Sequence, residues 1–234
     1  NPSKVAMAGK IQPNGSYLKG IEDFIPSSQY NCDKHHLKVV EDIKENWVTL
    51  SLNSKFHALL ATESIPEAIA YYRLLRKEMP TLKVTALFDP NIDNTGGQTF
   101  KEEGLIEVLE GYKEQFGKTY TMSTHAAFKQ DVALRLAHKK PYNGKDFTKD
   151  KQIDLLIVVN QMLTGFDSKW INTLYVDKVM EYENIIQAFS RTNRLFGPDK
   201  PFGVIRYYRY PNTMKRNIDK AVAMYSDNKP LKLF

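Results

Sequence analysis

Leu155-Leu156-Ile157-Val158-Val159 is an unbroken apolar run, rich in β-branched residues and without alternation. A run so short and so uniform predicts a strand covered on both faces, as in a parallel sheet. It is followed by Thr164-Gly165-Phe166-Asp167, a turn of small and polar groups. Ligands of open α/β sheets sit beyond the carboxyl ends of the strands, where this turn falls. Thr173–Asp177 reads as the next strand, and Tyr182–Leu195 as a helix.

Upstream, strand and helix signals alternate. Phe56–Ala61 is a predicted strand. Ser64-Ile65-Pro66-Glu67 has the form of a capping box, with Ser64 at the cap and Glu67 reaching back. Ala68, Tyr72, Leu75 and Met79 make an apolar helical stripe that Pro80 ends. Val84–Phe88 is the next strand, and helices are predicted around 101–116 and 124–139. Phe202–Tyr208 is a further strand, and Asn212–Tyr225 a last helix. Strand–helix–strand order is the parallel α/β signature. Nearly every strand is apolar throughout, so crossover helices should lie on both faces. Residues 1–34 hold scattered Pro, Gly, Ser and Asn and read as a linker from a preceding lobe, with one domain over 35–234. Leu37, Val40, Ile43 and Trp47 then recur at helical spacing.

Composition narrows the function classes. No apolar run approaches a membrane span, so no membrane partner is expected. A single cysteine excludes an internal disulfide and fits a reducing cytoplasm. Cys32, His35 and His36 are close in sequence, but no second ligand cluster matches them, so no metal site is read there. The formal net charge of +6 permits nucleic-acid partners. Lys139–Lys151 is a lysine-rich loop interrupted by Asp146 and Asp150; it reads as a solvated loop or a DNA-facing one. Arg206-Tyr207-Tyr208-Arg209-Tyr210 suits strand packing or base stacking.

The helix over 182–195 carries the chemistry. With about 100° per residue and Gln187 at zero, Arg191 falls near 40° and Arg194 near −20°. Ile185, Phe189 and Phe196 fall on the opposite side, at about 160° to 200°. One face should pack on the sheet, while Gln187, Ser190, Arg191 and Arg194 form a polar stripe. Two arginines three apart repel slightly unless an anion lies between them, and the guanidinium fork suits phosphate oxygens. A plain solvated helix face is the alternative.

TGFD after a buried strand, then QAFSRTNR, resembles helicase motifs five and six of superfamily 2. The fuller IVVNQMLTGFDSKWINTLYVDK and IIQAFSRTNR, with FHALLATESIPEAIAYYRLL upstream, resemble the R (motor) subunit of type I restriction enzymes. The resemblance implies a RecA-like three-layer α/β fold with a mainly parallel sheet, the second lobe of a helicase-type motor. It implies an arginine finger at Arg194, a γ-phosphate contact at Arg191, and coupling of nucleotide state to lobe closure at Gln187. Asp167 would reach the nucleotide ribose or the surroundings of Arg194. Thr164, Gly165, Thr62 and Ser64 would lie near the DNA backbone, although a turn and helix cap suffice to explain the last two. Ser190 and Asn193 stand where glycines are common in superfamily 2, which favours the restriction motor over RNA helicases. No G-x-x-x-x-G-K-[ST] loop occurs in the chain. ATP and Mg²⁺ would then be held mainly by another lobe, and the chain is expected to be a piece of a longer protein, inactive alone. Duplex DNA and the modification and specificity subunits are the partners implied. Another superfamily 2 helicase or remodeller, or a silent scaffold lobe, are the alternatives.

Overall fold

The structure is a computed structural model that describes residues 6–91, 97–159 and 168–226. A two-stranded antiparallel hairpin opens it, β1 (Lys10–Ile11) and β2 (Tyr17–Leu18). Helix α1 (Asp33–Leu50) leads to the first strand of the main sheet, β3 (His57–Thr62). Then come α2 (Ile65–Glu78), β4 (Val84–Leu87), α3 (Gln98–Phe116), α4 (His125–Leu136) and β5 (Leu155–Val159). The chain continues with β6 (Ile171–Asp177), α5 (Tyr182–Phe189), β7 (Val204–Tyr207) and α6 (Pro211–Tyr225). The main sheet has the order β4-β5-β3-β6-β7 and every pairing in it is parallel.

Central β3 pairs Leu60 with Ile157 on one side and with Tyr175 on the other. All six of its residues are buried, as are all five of β5. Flanking helices on the sheet explain why these strands carry no polar alternation. The result is the expected RecA-like α/β fold, with the five predicted strands within two residues of their observed starts. Gly104 and Gly111 of α3 meet Ile69 and Tyr72 of α2 so closely that a β-carbon at either would collide with them. Gly117, with φ of 70°, closes α3 in the left-handed conformation. No helix among the described residues is long and apolar enough to cross a membrane.

Three local expectations differ from the structure. Residues 6–31, expected to belong to a linker, fold back on α6. The buried Glu22 carboxylate accepts from the backbone N–H groups of Asn212 and Thr213 at 2.9 and 2.7 Å, capping α6 from a distance. Burial pushes the Glu22 pKa up, but the hydrogen bonds from Thr213 and Asn212 outweigh it and hold the group low. Helix α1 begins at Asp33, so the expected boundary at residue 35 falls inside its first turn. Leu37 is exposed, and Val39 joins Val40, Ile43 and Trp47 in the core instead.

The third difference touches the site. The predicted helix over 182–195 stops at Phe189. The Ser190 hydroxyl donates to the Gln187 carbonyl at 2.6 Å, and the Thr192 hydroxyl to the Phe189 carbonyl at 3.2 Å. Hydroxyls that bond the preceding turn compete with the helical ladder. Arg191 and Arg194 therefore follow the helix and do not ride on one of its faces.

Candidate functional site

Ile185 and Ala188 are buried on one side of α5, and Gln187 is exposed on the other. The wheel holds to this point. Beyond it, Arg191 is half-buried and Arg194 exposed, in the connection that leads to β7. Gln187 and the two arginines are thus brought within one short segment and face at least partly outward. Their donor set, an amide and two guanidinium forks, suits phosphate oxygens and offers no carboxylate for a magnesium ion. Phe189, expected in the apolar face, is partly buried and packs against the core. Phe196 lies outside the helix and packs against Phe56 and Trp170, with ring centroids at 5.6 and 4.6 Å.

Thr62 ends β3 with its side chain buried, and its hydroxyl donates to the Ser64 and Val158 carbonyls at 3.3 and 3.4 Å. Ser64 is half-buried and caps α2 by accepting from the Glu67 N–H at 3.4 Å. Thr164, Gly165 and Asp167 lie outside the described residues.

The carboxyl end of the sheet holds a buried charge cluster around Arg209, which the sequence reading treated as a strand or stacking residue. Arg209 is 1% exposed. Its Nε and Nη2 donate to the two oxygens of Asp177 at 3.0 and 3.1 Å, a forked pair at the end of β6. Nη2 also reaches Glu67 of α2, and Nη1 donates to Glu63 at 2.9 Å and to Asn31 at 2.8 Å. Asp177 further accepts from Tyr71 at 2.6 Å and from His35 at 2.7 Å. Burial pushes the Asp177 carboxyl up, but His35 and Arg209 pull it down further, to about 2. Glu67 is likewise lowered against its burial, by His36 and Arg209. His36, Glu67 and Asp177 converge closely enough to surround a metal ion. The cation that satisfies both acids is the guanidinium of Arg209, so the cluster reads as an internal tie. It joins α1, α2, β6 and the segment after β7. The available sequence signal was a cation just past one strand end and an acid closing another.

The pattern of the family described as Type I restriction enzyme subunit R domain 3 matches residues 54–210. The chain belongs to this family. The match runs from the entry to β3 to the residue after Arg209, so it contains the main sheet and, of the tie, Glu63, Glu67, Tyr71, Asp177 and Arg209, while Asn31 and His35 lie before it. The chain is 35% identical over 203 residues to the type I restriction enzyme SauMRSORF196P endonuclease subunit of Staphylococcus aureus strain MRSA252. That alignment covers 83% of this chain and 21% of the relative. It is 36% identical over 198 residues to the SsaAORF53P endonuclease subunit of Staphylococcus saprophyticus, covering 80% and 20%. A putative type I restriction enzyme MjaVIIP endonuclease subunit of Methanocaldococcus jannaschii is 38% identical over 78 residues, 29% of this chain and 7% of that protein. The chain therefore spans about a fifth of the length of the staphylococcal relatives it matches. In this R-subunit domain Gln187 and Arg194 are exposed and Arg191 is half-buried, all within one short segment.

Proposed function

We propose that the chain is the second motor lobe of the R subunit of a type I restriction-modification enzyme. It would take part in ATP-dependent translocation of duplex DNA coupled to cleavage. The observation that carries this reading is the exposed Gln187 and Arg194, with half-buried Arg191 between them, in a RecA-like domain of the R-subunit domain 3 family.

Arg194 acts as the arginine finger, neutralising charge that develops on the transferring phosphoryl group. Arg191 holds the terminal phosphate, and Gln187, in the last turn of α5, couples its presence to lobe closure. ATP, when bound, supplies the phosphoryl transfer that drives movement; a phosphate loop and the acids for Mg²⁺ come from another lobe. Thr164, Gly165 and Ser64 would contact the DNA backbone and Asp167 the ribose or the Arg194 surroundings, whereas Thr62, expected beside the DNA, is buried with its hydroxyl bonded to the Ser64 and Val158 carbonyls and serves the turn instead. The modification and specificity subunits are the protein partners of this reading, and the cytoplasm its compartment.

The test is Arg194→Ala in the longer subunit. DNA binding should persist, because the finger's partner is the phosphoryl transition state. ATPase and translocation should fall about 10³- to 10⁵-fold. ATPase near that of the parent protein would leave the segment a solvated surface and favour a scaffold lobe.

A further inference from the structure

The parallel sheet places every connection that enters a strand at its amino-terminal edge. The connection into β5 carries Lys139, Lys140, Lys145, Lys149 and Lys151, all exposed. Lys55 precedes β3, Lys83 precedes β4 and Lys169 precedes β6. Against these eight lysines, the same described connections hold three acids, Asp146, Asp150 and Asp154. The excess in these four connections is five. Asp199, in the connection into β7, pairs with Lys55, the one lysine of this set joined in an ion pair among the described residues.

Two of the lysines, Lys55 and Lys169, lie over a packed aromatic cluster. His138 stacks on Trp170 at 4.1 Å and meets Phe147 edge-on at 4.9 Å. Trp170 packs on Phe196, and the Phe196 ring has the ammonium of Lys169 at 4.8 Å and that of Lys55 at 5.7 Å. Lys149 donates to the Asn53 carbonyl, tying the lysine-rich loop to the turn before β3. Buried Lys200 donates to the Lys169 and Ile171 carbonyls at 3.2 and 2.6 Å, fixing the backbone under Lys169. The rings of His138, Phe147, Trp170 and Phe196 pack on one another, and in the connections into β4, β5 and β6 the exposed long side chains are mainly lysines.

We propose that this amino-terminal edge is a second polyanion surface, which holds the phosphate backbone of duplex DNA without reading bases. Lysine is a strongly hydrated point charge on a flexible stem, suited to register-free phosphate contact where arginine would fix geometry. Phosphate contact needs only these ammonium groups, and competition with polyglutamate separates DNA from an acidic protein partner. The proposal rests on the lysines and not on the role of Arg191 or Arg194, which lie in the connection into β7 together with Phe196.

The experiment measures binding of a short duplex to this chain across a salt series. Lys139→Gln/Lys145→Gln/Lys169→Gln is compared with Lys10→Gln/Lys215→Gln/Lys220→Gln, which removes equal charge from exposed positions elsewhere. Thermal unfolding checks that both remain folded. Losing three phosphate contacts should weaken low-salt binding about tenfold or more and flatten the log–log salt slope by about 2–3. The second variant should stay within about twofold, and two unrelated duplex sequences should behave alike. Equal losses in both variants, or no loss in the first, would overturn the proposal. Displacement of the duplex by polyglutamate as readily as by unlabelled DNA would also overturn it, in favour of an acidic protein partner.

Discussion

Replacing Arg209 by methionine keeps most of the side-chain length and removes the charge that ties the carboxyl end of the sheet. Asp177 is wholly buried and Glu67 nearly so, so neither can recover its loss from water. Removing one partner of a buried ion pair costs about 3–5 kcal/mol, because the other charge is stranded. For a chain of this size that lowers the melting temperature by about 6–20 °C. The pH dependence separates lost charge from lost packing. In the parent protein the Asp177 pKa is held at about 2, below the ordinary 3.8. Its contribution, about 2 kcal/mol, is therefore present above pH 4 and lost as pH falls toward 2. In Arg209→Met one of the groups that hold this carboxyl low is gone, so burial acts with less opposition and the folded-state pKa moves up, while His35 and Tyr71 still pull it down. The variant is then worst at neutral pH and recovers relative to the parent as pH falls through that raised pKa toward 2. Thermal or urea unfolding of both proteins between pH 2 and pH 8, followed by circular dichroism, measures the gap. A gap below about 1 kcal/mol at pH 7, or one that does not narrow on acidification, would refute the charge-tie argument.

Ile185→Ala should cost about 2–5 kcal/mol by opening a cavity at a fully buried position, while Phe189→Ala, only partly buried, should cost less; urea unfolding ranks them. His57 and His138 approach Nε2 to Nε2 at 2.7 Å, and burial pushes their pKa values down to about 3 and about 4. Both lie below the ordinary 6.5, so the stability they confer is complete above pH 6.5 and lost as pH falls toward 4. His57→Gln/His138→Gln should accordingly lose less stability than the parent between pH 7 and pH 5. Glu22→Ala removes the remote cap of α6 and should cost about 1–2 kcal/mol. It should also expose residues 6–31 to proteolysis, read by mass spectrometry of limited digests.

Strands were the most legible part of this chain because burial on both faces leaves a mark that needs no partner to interpret. Leu155–Val159 can satisfy its side chains only inside a covered sheet, and it does. The end of α5 was less legible. Apolar periodicity through Phe196 favoured a longer helix, but Phe196 satisfies its hydrophobicity against Phe56 and Trp170 from outside the helix. The two hydroxyls that end the ladder, on Ser190 and Thr192, read locally as ordinary helix-surface residues. The outward position of Gln187 depended only on the first two turns, which exist, and so it survived the error. Residues 6–31 were unreadable for a related reason. Their order comes from Glu22 reaching the start of α6, a partner 190 residues away in sequence.

Net charge carried the least positional information, and the reason is physical. At the carboxyl end of the sheet Arg209 is consumed by Asp177, Glu67 and Glu63, so a cation that looks available to phosphate in the sequence is internal. At the amino end the lysines are joined, among the described residues of these connections, by Asp146, Asp150, Asp154 and Asp199, which leaves an excess of positive charge. Burial can tolerate charges only when they cancel, so the sheet end with the better-buried ions is the one with less field to offer a polyanion. A chain of modest positive charge can thus present a concentrated positive edge, with the polarity of its parallel strands deciding which edge that is.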